Sequence, residues 1–510
     1  MKNIFETKAF SELKRVASNS EDFSSSLDYF IEHERYVFDF SRMKIPDGFF
    51  QVFENAAQEL DLQGQIEAMF RGEKINVTEN RPALHVALRA KRDEDIRVEG
   101  KNVVEKVYEI KKKIKSLVER FRSGQMHGIT GKRLKTVVNI GIGGSYLGPL
   151  TVTEALRRHD ANVRSYFLSN VDDWHWRDIF HRINPEETLF VIVSKSFGTK
   201  ETLMNASMLK EKLETVYGRG IVEKQFIAVT ANPEKAEDFG INSSNIFPMW
   251  NWVGGRFSLW SSAGIAIPLT LGYDVFEQLL EGANSADRDF RHMPFKENPA
   301  IIKAVLSFYY IYFKNAQSEV YVPYRQKLAY LPLYLQQLMM ESLGKSVRRD
   351  GRPVNYPTGN VIWGETGTNA QHSFFQLLHQ GTMTIPVHFI GSLEEGESME
   401  PNRTFLLANM LSQAESLYSG KTSGDLFSFF AGGRPGDIWL VDRFDAWQLG
   451  YMLAVFEHQT YVLSLLWDIN AFDQFGVELG KINADRIFEI LNNDGLYKDS
   501  PLYRFILNRL

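Results

Sequence analysis

The chain has 510 residues, 44% of them hydrophobic and 24% charged, enough for a sizeable buried core and for more than one domain. Its net charge of -5 gives no general attraction to nucleic acid or to an anionic membrane, so an anionic ligand has to be caught locally. The absence of cysteine excludes disulfides, thiolate metal sites and a cysteine nucleophile, and it fits a reducing cytoplasmic setting.

The first residues, "MKNIFETKAFSELK", carry charge where a secretory signal needs an apolar core, so no signal is expected. Up to Lys135 the pattern predicts mostly helix, with apolar residues at three and four spacing in "VVEKVYEIKKKIKSLVERF". From Thr136 the texture changes. The runs "TVVNIGI", "VRSYFLS", "LFVIVSK", "QFIAVTA" and "NIFPMW" alternate with amphipathic stretches, which predicts parallel strands with crossover helices. Helices dominate again after "GGRFSLWSSAGIAIPL", and "EVYVPY", "NVIWG" and "TIPVHFIG" then predict strands of a second sheet-bearing domain. The apolar segment "YMLAVFEHQTYVLSLLW" is interrupted by charge before it reaches the ~18 apolar residues of a membrane span. After Lys481 the pattern predicts a helical arm.

Two loops stand where a strand feeds a helix. "VVNIGIGGSYLGPL" ends an apolar run in glycines and Ser145, and backbone N–H groups at such a junction suit an anion; a tight turn without a ligand is the alternative. Counting from Gly141, the sixth position is Tyr146 rather than glycine, which argues against a dinucleotide fingerprint. "GKS" at Gly344–Ser346 has Met339 where a phosphate-binding P-loop needs its first glycine. The second loop, in "LFVIVSKSFGTKETLMNA", offers Ser194, Ser196 and Thr199 between backbone amides, a set suited to one phosphate monoester. Thr199 also reads as a helix cap, and Lys195 and Lys200 as solvated charges. Both loops can converge at the carboxyl edge of one parallel sheet.

Acid–base candidates follow. Gln337 and Glu341 are four apart in "QQLMMESLGKSV", hence on one helical face, although Lys345 offers Glu341 an ordinary ion pair. His372 follows "GETGTNAQ" at a loop-to-helix junction, and His379, seven residues on, reads as structural. Arg256 follows two glycines that allow close approach of its guanidinium. In "FDQFGVELGK", Gln474 and Lys481 are seven apart, two turns of a helix.

Taken together, "GIGGSYLGP", "SKSFGTKET", "GGRFSLWSSAG", "QQLMMESLGK", "GTNAQHSF" and "FDQFGVELGK" occur in an order and spacing that resembles the glucose-6-phosphate isomerase family over most of the chain. The resemblance implies an α/β fold of two sugar-isomerase three-layer α/β/α domains with mainly parallel sheets, N-terminal helices and a C-terminal helical arm. The corresponding divisions are 1–99, the N-terminal helical part of the large domain; 100–270, the smaller domain; 271–480, the large domain; and 481–510, the arm. It implies reversible isomerisation of glucose 6-phosphate and fructose 6-phosphate, in glycolysis and gluconeogenesis, through a cis-enediol, with no cofactor and no metal. Gly144 and Ser145 would contact the sugar; Ser194, Lys195, Ser196 and Thr199 would hold the phosphate, Lys195 chiefly through its backbone. Glu341 would carry the proton between C2 and C1, Arg256 would stabilise the intermediate, His372 and Lys481 would open the ring, and Gln337 and Gln474 would help hold the substrate. A cytoplasmic homodimer is implied, with His372 completing the neighbouring site and with no nucleic-acid or membrane partner. Tyr146, Ser196 and Gly198 depart from the residues common in the family, and Tyr146 has no assigned role. A non-catalytic sugar-phosphate-binding regulator and an isomerase that also accepts mannose 6-phosphate are the alternatives.

Overall fold

The computed structural model of the chain describes residues 2–18, 29–158, 162–394, 400–492, 500–507 and 509. Part of the expected arm, residues 493–499, 508 and 510, lies outside the described residues. In chain order the strands are β1 (Phe30–His33), β2 (Tyr36–Asp39), the short hairpin β3 (Arg97–Val98) and β4 (Lys101–Asn102), then β5 (Thr136–Ile140), β6 (Arg164–Leu168), β7 (Thr188–Val193), β8 (Phe226–Thr230) and β9 (Ile246–Pro248). They continue with β10 (Ser318–Pro323), β11 (Val361–Gly364), β12 (Val387–Glu394) and β13 (Gly436–Arg443).

The first sheet has the order β6-β5-β7-β8-β9 and is parallel throughout. Every residue of β5, β7 and β8 is buried, as strands covered by helices on both faces must be. Val138, Ile140, Phe190 and Ile192 of this sheet pack with Leu209, Leu213 and Ile221 in one apolar core. All five strands predicted from the alternating texture are present.

The second sheet has the order β1-β2-β13-β12-β10-β11, with β10 to β13 parallel and β2 antiparallel to β13. Here the sequence reading needs correction in two places. The N-terminal segment read as mostly helical also contributes the β1–β2 hairpin, which pairs Phe38 with Trp439, and β13 is a further strand. The hairpin strands are only four residues long, so their side-chain alternation is too brief to separate from helical spacing.

Helix Ala446–Leu466 runs through the interior, and every residue of it except the half-buried Trp447 is buried. It packs on helices Tyr273–His292 and Pro299–Phe313. Its interior Glu457 and His458, the polar pair that breaks the apolar run, are held by Arg89 and Asp287 respectively. Among the described residues no helix is long and apolar enough to cross a membrane.

Contacts divide the chain into two units, Met1–Ala471 and Phe472–Leu510. The second unit holds a short turn, Phe475–Val477, and the helices Glu478–Asn492 and Pro501–Leu507.

Candidate active site

Strand β5 is followed in the chain by β6 on one side, while β7 lies on its other side. The chain therefore reverses its direction of travel across the sheet between β5 and β7, and the loops leaving their carboxyl ends border an open crevice. These are the two glycine- and serine-bearing loops singled out in the sequence.

After β5 the backbone makes one tight turn, Gly143–Ser145, and enters helix Leu147–Leu156. Buried Asn139 fixes this turn by donating from Nδ2 to the Ser145 carbonyl at 3.0 Å. A Cβ on Gly144 would lie 2.0 Å from the Gly255 carbonyl oxygen and 2.8 Å from the Arg256 nitrogen. Gly144 is thus needed to let one backbone press against another, and the backbone it meets is the one that carries Arg256. Tyr146 turns toward the sheet, where its ring meets Phe167 edge-on at 6.4 Å.

After β7, buried Ser194 donates from Oγ to Thr199 Oγ1 at 3.2 Å, while Ser196 is exposed. Between Ser196 and Thr199, Phe197 takes a left-handed φ of 44° with its ring buried against Phe239. That conformation is costly for a bulky residue and persists only where packing enforces it. Thr199 stands at the start of the 18-residue helix Lys200–Tyr217 and makes no side-chain cap bond. The first-turn N–H groups of that helix and its dipole face the loop, an arrangement that suits an anion. The Lys195 ammonium points elsewhere, donating to the carbonyls of Asn251 at 3.2 Å and Val253 at 2.9 Å. Burial, helped by repulsion from Arg81, pulls its pKa down to about 8. Lys195 therefore braces the phosphate-type loop against the segment that leads into Gly254, Gly255 and Arg256.

The third component is an irregular helix. Leu331–Leu335 is α-helical, Gln336–Met340 widens into a π-turn, and Glu341–Leu343 resumes the α geometry. Such single wide turns are uncommon and concentrate at functional sites. Gln337 Nε2 donates to Glu341 Oε2 at 3.2 Å, and Arg256 Nη1 approaches the same oxygen at 3.3 Å. Among the described residues no side chain donates to Glu341 Oε1. The guanidinium is further held by Nε to Ser342 Oγ at 2.6 Å and by Nη2 to the Ala471 carbonyl. With its side chain 2% exposed against 23% for Glu341, the arginine is a fixed charge and the carboxylate is the reachable partner. Lys345 bonds the Glu341 main-chain carbonyl at 2.8 Å, so the carboxylate is engaged by Arg256. Gln337 also lies over the first loop, its Nε2 2.9 Å from where a Gly143 Cβ would stand.

Behind Arg256 is a buried ionic network that sequence reasoning missed. Arg89 forms a bidentate pair with Asp287 at 2.7 and 2.8 Å and a bond to Glu457 at 2.5 Å. Glu457 also accepts from Trp260 Nε1 at 2.8 Å, and Trp260 ends the turn Gly255–Trp260 on which Arg256 sits. One arginine serves two buried carboxylates, and burial raises the Glu457 pKa to about 7. The available signal was a Glu-His pair inside an otherwise apolar helix.

His372 ends the short helix Gly367–Gln371, with its N–H on the Asn369 carbonyl and its side chain exposed; among the described residues its ring makes no hydrogen bond. His379 has a structural contact, Nε2 to Gln413 Oε1 at 2.9 Å. Gln474 and Lys481 belong to the second unit, where Gln474 precedes the turn Phe475–Val477 and Lys481 pairs with Glu478 at 2.8 Å. Within the first unit the structure brings Gly144, Gln337, Glu341 and Arg256 into one cluster, and Ser145 lies in the same turn as Gly144. Ser194, Lys195, Ser196 and Thr199 lie on the loop beyond neighbouring β7.

The two mainly parallel sheets with this carboxylate–guanidinium centre define an α/β protein of the sugar-isomerase type. The solved glucose-6-phosphate isomerase from Chlamydia trachomatis superposes with a TM-score of 0.88 at 29% identity, covering 99% of both chains. The family model for phosphoglucose isomerase matches residues 39–500. The chain is 43% identical to the glucose-6-phosphate isomerase of Christiangramia forsetii, covering 96% of this chain and 95% of that protein. It is 42% identical to that of Methylococcus capsulatus, covering 90% and 88%. The chain belongs to the phosphoglucose isomerase family.

Proposed function

We propose that this protein reversibly isomerises glucose 6-phosphate and fructose 6-phosphate, as the enzyme names of its relatives indicate. The observation that carries the reading is the Glu341 carboxylate, bonded on Oε2 by Arg256 and Gln337 and reachable at Oε1. An acid–base group that takes a proton from carbon must lie within reach of it and be shielded from bulk water, and this carboxylate is three-quarters buried.

The phosphate is assigned to Ser194, Ser196, Thr199 and the Lys195 backbone, where hydroxyls meet a helix start. Gly144 and Ser145 then form a wall against the sugar, with Gln337 and Gln474 helping to hold it. His372 and Lys481 open the ring by giving a proton to the ring oxygen and taking one from the anomeric hydroxyl. Glu341 removes the C2 proton of the open aldose, leaving an enediolate whose charge faces Arg256. Return of that proton to C1, with proton exchange between O1 and O2, gives the ketose. Hydrogen moves within one molecule, so the reaction is redox-neutral and calls for no cofactor. Arginine suits its part because it keeps its charge and does not act as an acid.

The exposed ring of His372 supports a homodimer in which it completes the neighbouring subunit's site. The same reading divides the chain into 1–99 with 271–480 as the large domain, 100–270 as the smaller one and 481–510 as the arm. It places the protein in the cytoplasm, in glycolysis and gluconeogenesis. A coupled assay of purified protein with fructose 6-phosphate in excess EDTA tests the proposal. Steady formation of glucose 6-phosphate supports it. Binding of the sugar phosphate without turnover indicates a regulator and refutes it.

A further inference from the structure

Behind the irregular helix that carries Gln337 and Glu341 lies a small cavity of about 10 Å³, walled in part by Met339 of the π-turn and Leu343 of the α-turn after it. Among the described residues, four buried polar atoms lining it have no protein hydrogen-bond partner: Glu319 Oε1, Gln459 Oε1, Asn360 Nδ2 and Trp467 Nε1. Leaving such groups unpaired is costly, so four around one void call for an occupant.

The neighbouring bonds fix what each atom can do. Glu319 Oε2 is already taken by the Ser307 hydroxyl at 3.1 Å and the His388 ring at 3.3 Å, which leaves Oε1 as the acceptor toward the cavity. Gln459 donates from Nε2 to Ser307 Oγ at 3.2 Å, so its carbonyl oxygen faces the void. Asn360 Oδ1 accepts from the Val361 amide at 3.0 Å, which sets Nδ2 as the outward donor. Trp467 Nε1 is a donor only.

Two donors and two acceptors around a space for about one probe sphere match the valence of one molecule. We infer that this cavity is a specific binding site for a single water, accepting from Asn360 and Trp467 and donating to Glu319 and Gln459. A bare cation is a poor fit, because Asn360 and Trp467 would turn N–H groups toward it. An anion is a poor fit, because the Glu319 carboxylate faces the same space. The bound water joins β10, the residue before β11, helix Ala446–Leu466 and its cap Trp467 into one hydrogen-bonded support beneath the segment that holds Glu341.

The test is a high-resolution crystal structure of the full chain, paired with oxygen-17 relaxation dispersion in solution. Expected is one density peak about 2.7–3.2 Å from all four atoms, together with a long-lived water signal. In Trp467→Phe, which removes one donor, that long-lived signal should shorten at least about tenfold, roughly the loss of one hydrogen bond. An empty cavity, side chains turned to pair with one another, or a peak surrounded only by acceptors would each overturn the inference. So would a relaxation signal unchanged by the substitution. Should that variant fail to fold, the density in the unmodified chain decides.

Discussion

Replacing Gly144 by alanine adds one methyl group where two backbones already touch. The new carbon would stand 2.0 Å from the Gly255 carbonyl oxygen and 2.3 Å from its carbon, and both obstacles are main chain. Ordinary carbon–oxygen contact begins near ~3.3 Å, so the two turns must separate by roughly 1 Å. Overpacking of this kind costs about 1–3 kcal/mol. The larger effect is on Arg256, whose backbone is part of the obstacle and whose guanidinium stands 3.3 Å from Glu341. A misplacement near 1 Å lowers turnover by about 10²-fold. Gly255→Ala is the stability control, because nothing lies within 4 Å of its added carbon. Thermal melts and steady-state kinetics on fructose 6-phosphate read both quantities. Gly144→Ala should lower Tm and reduce kcat about 10²-fold, whereas Gly255→Ala should melt near the unmodified chain. If Gly144→Ala keeps full turnover and an unshifted Tm, the close approach of the two turns does not position Arg256.

Arg256→Lys keeps the charge but cannot reproduce three directed donors, so kcat should fall by about 10²- to 10³-fold; kinetics showing less than a twofold change would contradict the assignment. Ser194→Ala removes a hydroxyl from the loop proposed to hold the phosphate and should raise KM by about tenfold, the worth of one hydrogen bond, with a smaller change in kcat; a titration of inorganic phosphate as competitor would check it. Glu457 ionises near 4.5 when unfolded and at about 7 when folded, so stability is fully present below pH 4.5 and declines as pH rises toward 7. Glu457→Gln should flatten that decline in chemical denaturation between pH 5 and 7, and an unaltered slope would count against the raised pKa.

How much was legible in the sequence follows from the range of the forces involved. The runs at Thr136–Ile140 and Thr188–Val193 are short, apolar and bounded by glycine or serine, and both are the buried parallel strands they were read as. Their loops were found for the same reason, since a strand that empties into small polar residues before a helix leaves free amides. The π-turn at Gln336–Met340 could not be read, because its residues fit an α-helix equally well and the extra residue is set by packing. Nor could the function of Gly144, because its obstacle is a backbone more than a hundred residues away in the chain. Arg89 finds Asp287 and Glu457 at separations of 198 and 368 residues, and no local pattern encodes such pairs. Tyr146, unexplained from sequence, proves to pack on Phe167.

The central claim is that Glu341 moves the proton between the two carbons. Its most direct test is Glu341→Gln, which keeps shape and neutralises the base, studied by calorimetric binding of a sugar phosphate alongside turnover in deuterated water. Expected are nearly unchanged binding, kcat reduced by at least about 10³-fold and no deuterium entering the substrate carbon above background. Normal turnover, or undiminished deuterium incorporation by the variant, would show that another group carries the proton.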